Sequence, residues 1–172
     1  SLFFIFILIC FQGFIGWYMV SSGLVDRIDV SHFRLSVHLS IAFLIISLII
    51  WNYLKLKDLN FSNNSLNKFI PLIFLLLIFT QIIIGAFVSG MDAGKIYNSW
   101  PLMGTSYFPN DNNFTDLFSF EAFSDPSLVQ FIHRNLAYFI MGFYLLILIE
   151  VYKKKITNLF FIIKILGFLL FI

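Results

Sequence analysis

Charge is scarce in this sequence. Only 12% of its 172 residues are Asp, Glu, Lys or Arg, while 60% are hydrophobic. A soluble domain carries about twice that charged share. The deficit excludes a water-soluble fold, and the long apolar runs identify a polytopic membrane protein. Cysteine is almost missing: Cys10 stands alone in an apolar run, which excludes an intrachain disulfide and a thiolate metal site. Proline is confined. Pro71 falls in the first turn of a span, where its missing N–H costs nothing, and Pro101, Pro109 and Pro126 punctuate one long polar stretch. The first apolar run has no basic leader and no small-x-small cleavage pattern, and it carries Gln12, so it is not a signal peptide. No initiator Met opens the chain and both ends are apolar, so it reads as an internal fragment with helices missing on either side. No phosphate-binding loop, Ser/His/Asp triad or nucleic-acid surface is visible.

What is present is a repeat. Gln12-Gly-Phe-Ile-Gly16 and Val20-Ser-Ser-Gly23, followed by His38-Leu-Ser-Ile-Ala-Phe-Leu-Ile45, return as Gln81 to Gly90 followed by His133 to Ile140. With His38 set on His133, Ala42 falls on Ala137, Phe43 on Tyr138 and Ile45 on Ile140. The unit is a small-residue helix with a Gln, a loop, then a helix with a His near its start, used twice. The fold expected is all-α and polytopic, a helical bundle built from a pseudo-symmetric repeat of two-helix units. Spans are expected at about residues 2–20, 35–54, 69–90 and 128–152, with a truncated fifth from about residue 158. Gly13 and Gly16 on the first span, and Gly85, Ala86, Ser89 and Gly90 on the third, make small faces for close helix contact.

Lysines gather in residues 55–68 (Lys55, Lys57, Lys68) and at Lys153-Lys-Lys155, while the other two loops are balanced or acidic. The positive-inside rule places the lysine-rich loops in the cytoplasm or its organellar equivalent. The other two, including the long loop 91–127, then lie outside, with both histidines near the outer ends of their spans. A loop that long is usually functional or a lid, and its aromatics place it on the membrane surface. Asp125 or Ser127 is positioned to cap the helix after it.

His38 and His133 are the strongest chemical signals, because an ionisable side chain inside a span is costly and usually functional. A neutral imidazole there is a common axial ligand of heme iron, whereas a structural histidine would bond to a neighbouring helix. The two could share one bis-His heme, or each could pair with a ligand on a missing helix. Arg34 and Arg134 flank them, suited either to a heme propionate or to snorkelling at the interface. Gln130 lies one turn before His133 and could orient its ring or bond to another helix. Gln12 and Gln81 are read as interhelical hydrogen-bonding residues, Asp26 and Asp92 as matched turn or site residues, and His32 as a solvated loop histidine.

Gly16-Trp-Tyr-Met-Val-Ser-Ser-Gly-Leu-Val-Asp-Arg27 with Arg34-Leu-Ser-Val-His38-Leu resembles the third and fourth helices of the heme A synthase family. Gln81 to Gly94, Tyr97-Asn-Ser-Trp-Pro-Leu-Met103 and Val129-Gln-Phe-Ile-His-Arg134 resemble its fifth helix, outer loop and sixth helix, in the alphaproteobacterial and mitochondrial type. The resemblance implies eight spans in two pseudo-symmetric halves. Residues 1–54 would end the amino-terminal half, 55–68 would be a cytoplasmic loop, and 69–172 would begin the carboxy-terminal half. It implies oxidation of the C8 methyl of heme O to the formyl of heme A, for cytochrome oxidase. His38 would be the axial ligand of substrate heme O, and His133 would hold a heme b cofactor, with Arg34, Gln130 and Arg134 as cofactor-binding candidates. The partner histidines and the family's acidic residue lie on helices outside this sequence, so the fragment alone is expected to be inactive. The cysteine pair of some members is absent. The candidate partners implied are heme O, membrane lipid, heme O synthase, an electron acceptor and a second copy in a homo-oligomer; no nucleic acid is implied. The location implied is a bacterial inner (cell) membrane, or the mitochondrial inner membrane in a eukaryote. Two other classes stay open: an electron-transfer membrane subunit of cytochrome b type, and a helical transporter with histidines along a polar path.

Overall fold

A computed structural model describes residues 2–23, 30–57 and 66–170. Five helices follow one another: α1 (Leu2–Gly23), α2 (His32–Leu56), α3 (Phe69–Gly90), α4 (Pro126–Lys153) and α5 (Thr157–Leu170). The first four are long and apolar enough to cross a membrane, with mean hydropathies of 2.1, 2.2, 2.6 and 1.7 over their spans. At about 1.5 Å per residue each reaches past the roughly 30 Å hydrocarbon layer. The chain is an all-α polytopic membrane protein, and α5, at 14 residues, is a shorter apolar helix. Each helix packs chiefly on its neighbour in sequence: α1 on α2, α2 on α3, α3 on α4, α4 on α5.

Large apolar side chains point outward along α1 and the outer faces of α2 to α4, where lipid is their solvent. Burial is selective. Ile45 and Ile140, matched by the repeat, are both buried, at 8% and 2% exposure. Lipid is as apolar as leucine, so the helices are held by close packing and interhelical hydrogen bonds. Ile84, Phe87 and Val129 form one core between α3 and α4. Tyr144, Ile147, Val151, Ile156 and Ile163 form another between α4 and α5, where the Tyr144 hydroxyl donates to Ile163 O at 2.9 Å.

The helix starts refine the sequence reading. Asp125, not Ser127, caps α4: its carboxylate accepts from Leu128 N at 2.8 Å, and Pro126 fills the first turn. α2 starts at His32, with Leu35 N on Ser31 O at 3.0 Å, because a first turn need not be apolar. His32 is therefore not a solvated loop residue. It is half-buried, its ring edge-on to Phe87 with centroids 5.4 Å apart. A Cβ on Gly90 would stand 2.8 Å from His32 Cα, so the end of α3 meets the start of α2 backbone to backbone. Asp92 adopts a left-handed conformation (φ 53°) and pairs with Lys95 at 2.8 Å. Asp26 lies outside the described residues.

Between α3 and α4 the chain forms three short 3-10 turns, Ala93–Lys95, Phe114–Phe118 and Phe120–Ser124. Asp111 ties the loop's ends to α4, accepting from Ser127 Oγ at 2.6 Å and from the Tyr97 hydroxyl at 3.0 Å. Burial raises the Asp111 carboxyl, but the bonds from Ser127 and Tyr97 outweigh it and hold it below its ordinary value. The Tyr97 phenol is raised, by burial first and then by the Asp111 carboxylate. Phe118 and Phe120 point outward, 82% and 79% exposed.

Candidate functional site

His38 stands two turns into α2 and faces α1. There the Gln12 amide nitrogen lies 3.2 Å from His38 Nε2 and donates to the backbone carbonyl of His38 at 2.9 Å. Gly16, one turn beyond Gln12, makes room for the ring: a Cβ there would stand 3.1 Å from His38 Cε1. The second repeat copies the arrangement. Gln81 Nε2 lies 3.3 Å from His133 Nε2 and 3.2 Å from His133 O, and a Cβ on Gly85 would stand 3.2 Å from His133 Cε1. Each histidine thus belongs to its own helix pair, α1/α2 or α3/α4. In both, the imidazole Nδ1 and the amide Oε1 are buried with no hydrogen-bond partner.

The other expected site residues are distributed differently. Gln130 is 5% exposed and turns away from the ring, its amide donating to Tyr97 O at 2.9 Å. The partner of the His133 ring is Gln81. Arg134 reaches the same carbonyl through Nη2, and its Nη1 donates to Ser99 O at 2.9 Å. Gln130 and Arg134 therefore strap the long loop onto α4, together with Trp100 Nε1 on the Tyr138 hydroxyl at 2.7 Å. Arg34 lies over the Tyr18 ring, 5.1 Å from its centroid, at a cleft of about 250 Å³ lined by Ile15, Tyr18, Phe33, Arg34 and Val37. Among the described residues no group of three or more His, Cys, Asp or Glu comes together.

This donor set suits a heme better than a bare ion. A bare ion needs several charged or imidazole ligands in one place, whereas an axial site needs one imidazole on an apolar wall. Each helix pair offers one imidazole, set in a glycine recess with its Nε2 facing a side-chain amide, on helices whose exposed faces are apolar.

Residues 1–171 match the COX15-CtaA family, described as cytochrome oxidase assembly protein. The chain belongs to this family. Among relatives of this cytochrome oxidase assembly family, one from Pelagibacter ubique named heme A synthase is 51% identical over 151 residues. The match covers 88% of this chain and 45% of that protein. A heme A synthase from Rickettsia bellii is 44% identical, over 87% of this chain and 46% of its own length. One from Flavobacterium johnsoniae is 40% identical, over 86% and 45%. The chain thus spans just under half the length of these curated relatives. No solved structure matches it.

The repeat, the histidine pair and the glycine faces were visible in the sequence. The pairing of each glutamine with a histidine was not, although a signal was present: Gln and Gly stand four apart in both repeats, Gln12/Gly16 and Gln81/Gly85. That spacing sets an amide and a gap on one helix face.

Proposed function

We propose that the full-length protein carrying this chain is a heme A synthase, which oxidises the C8 methyl of heme O to a formyl group and supplies heme A for cytochrome oxidase biogenesis. The observation that carries this reading is the doubled Gln/Gly/His arrangement in a chain of the cytochrome oxidase assembly family. His38 would bind the iron of substrate heme O and His133 that of heme b, each with a second ligand beyond this chain. A prenylated porphyrin dissolves in lipid, so a site between membrane helices suits it, and the iron porphyrin supplies the redox chemistry when bound. The chain's own residues hold and orient. Arg34 sets a cation at the rim of an apolar cleft, the pairing that a carboxylate on an apolar ring needs. Two of the five N–H donors of Arg134 strap the loop, and a propionate would take others. We assign residues 1–54 to one half, 55–68 to a cytoplasmic connection and 69–172 to the other half, in a bacterial inner or mitochondrial inner membrane.

The test is to express the full-length protein in a host that makes heme O and to separate the extracted hemes by chromatography and mass. Heme A made by the wild type and lost in both His38→Ala and His133→Ala supports the synthase. Bound heme b with unconverted heme O would make the protein an electron-transfer subunit. Absence of any heme would sink both readings.

A further inference from the structure

We propose that Gln12 and Gln81 are positioning residues: each amide holds its histidine as the tautomer with an unprotonated Nε2, the nitrogen offered to iron. The proposal rests on the heme reading above and names what prepares its ligands. A backbone carbonyl oxygen only accepts hydrogen bonds, so the nitrogen end of each amide must face His38 O or His133 O. That fixes which end of the amide meets the ring. The remaining amide N–H then points at Nε2, at 3.2 Å from Gln12 and 3.3 Å from Gln81. A ring nitrogen that meets a donor must accept, so the ring proton is carried on Nδ1. Coordination requires an unprotonated nitrogen, and the amide selects it before any metal arrives.

The geometry also makes the amide displaceable. Its contact with the ring is the longer of its two bonds in both repeats, near the upper limit for a hydrogen bond. A metal held at Nε2 would displace only the ring contact, and the amide would keep the carbonyl. The glycine recess lies beside the amide on the same helix face, so the Cε1 edge of the ring seats against Gly16 or Gly85 while Nε2 meets the amide. The arrangement occurs twice on independent helix pairs, which makes a chance contact a poor account of it.

The experiment uses the full-length protein with nitrogen-15-labelled histidine. Nitrogen-15 NMR of the heme-free protein reports which ring nitrogen carries the proton, and hemin titration reports affinity and the low-spin spectrum. Gln81→Met keeps the volume and removes the amide, while Gln81→Glu replaces the donor with an acceptor and draws the proton to Nε2. The expected results are a lost tautomer preference in Gln81→Met and a reversed one in Gln81→Glu, with hemin affinity that holds or rises in Gln81→Met, where no amide contact has to break, and falls about 10–100-fold in Gln81→Glu, where the proton must first leave Nε2. A filler role for Gln81 predicts an unchanged ring proton in Gln81→Met and Gln81→Glu, and that result overturns the proposal. If the wild type binds no hemin, the heme reading fails, and the proton position in the heme-free protein still decides the role of the amide. Gln12→Met and Gln12→Glu repeat the measurement at His38 should a variant at position 81 fail to fold.

Discussion

Adding one methyl group at Gly85 separates ring placement from helix stability. In Gly85→Ala the new Cβ stands 3.2 Å from His133 Cε1, and in Gly16→Ala it stands 3.1 Å from His38 Cε1. Carbon atoms rest at about 3.5–4.0 Å, so the rings must retreat by roughly 0.3–0.9 Å. The amide contact begins at 3.3 Å or 3.2 Å, and that retreat ends it. The lost interhelical bond is worth about 0.6 kcal/mol, at most about 1.7. Alanine returns up to about 1 kcal/mol of helix propensity, so the net change in stability is near zero while the imidazole is displaced. Gly13→Ala and Gly142→Ala are matched controls on α1 and α4, since a Cβ at either meets nothing within 4 Å. Heme content per protein and thermal unfolding in detergent, measured on the full-length protein, should separate the two pairs. The melting temperatures should stay close together, and heme occupancy should fall at least tenfold only in Gly16→Ala and Gly85→Ala. Full heme occupancy with an unshifted spectrum in those two variants would refute the cradle.

The long loop and the start of α4 give three further tests. Arg134→Lys replaces the planar fork that spans Tyr97 O and Ser99 O with a single ammonium on a shorter stem, and should lose about 1.5–3 kcal/mol of loop anchoring, read as faster proteolysis within residues 91–125. The Asp111 carboxyl is held low when folded, so its contribution is complete above the unfolded value of about 4 and is lost as pH falls through the lower folded value. The Tyr97 phenol is held high, so its contribution is complete below about pH 10 and is lost as pH rises through its folded value. Loop protection from protease should therefore be broad around neutrality and fall at both extremes, and Asp111→Asn should abolish the acid limb. Asp125→Ala removes the cap on Leu128 N and should cost about 0.5–2 kcal/mol, seen as faster amide exchange confined to the first turn of α4.

Apolar run length made the spans legible, and the phrase repeat made the histidine pair legible, because both signals are local. Asp125 was readable as a cap for the same reason. The clamp on each ring was not, since Gln12 and His38 are 26 positions apart and Gln81 and His133 are 52 apart. A polar residue in a span announces that it needs a partner without saying which. Gln130 shows the same limit from the other side. One turn from His133 it invited a bond to the ring, yet its amide goes to a loop carbonyl. His32 was misplaced because apolar periodicity marks the buried length of a helix and not its first turn.

Part of the strap on the long loop consists of side chains from α4 gripping main-chain oxygens of Tyr97 and Ser99. Every residue type has that oxygen. Gln130 and Arg134 therefore keep their hold whatever side chain stands at 97 or 99, although Tyr97 and Ser99 use their own side chains within the loop, whereas α4 cannot exchange Gln130 or Arg134 on the same terms. Fixed and variable duties are divided between two segments. The helix that carries His133 thereby keeps the loop in place through main-chain atoms that side-chain changes at 97 and 99 leave behind.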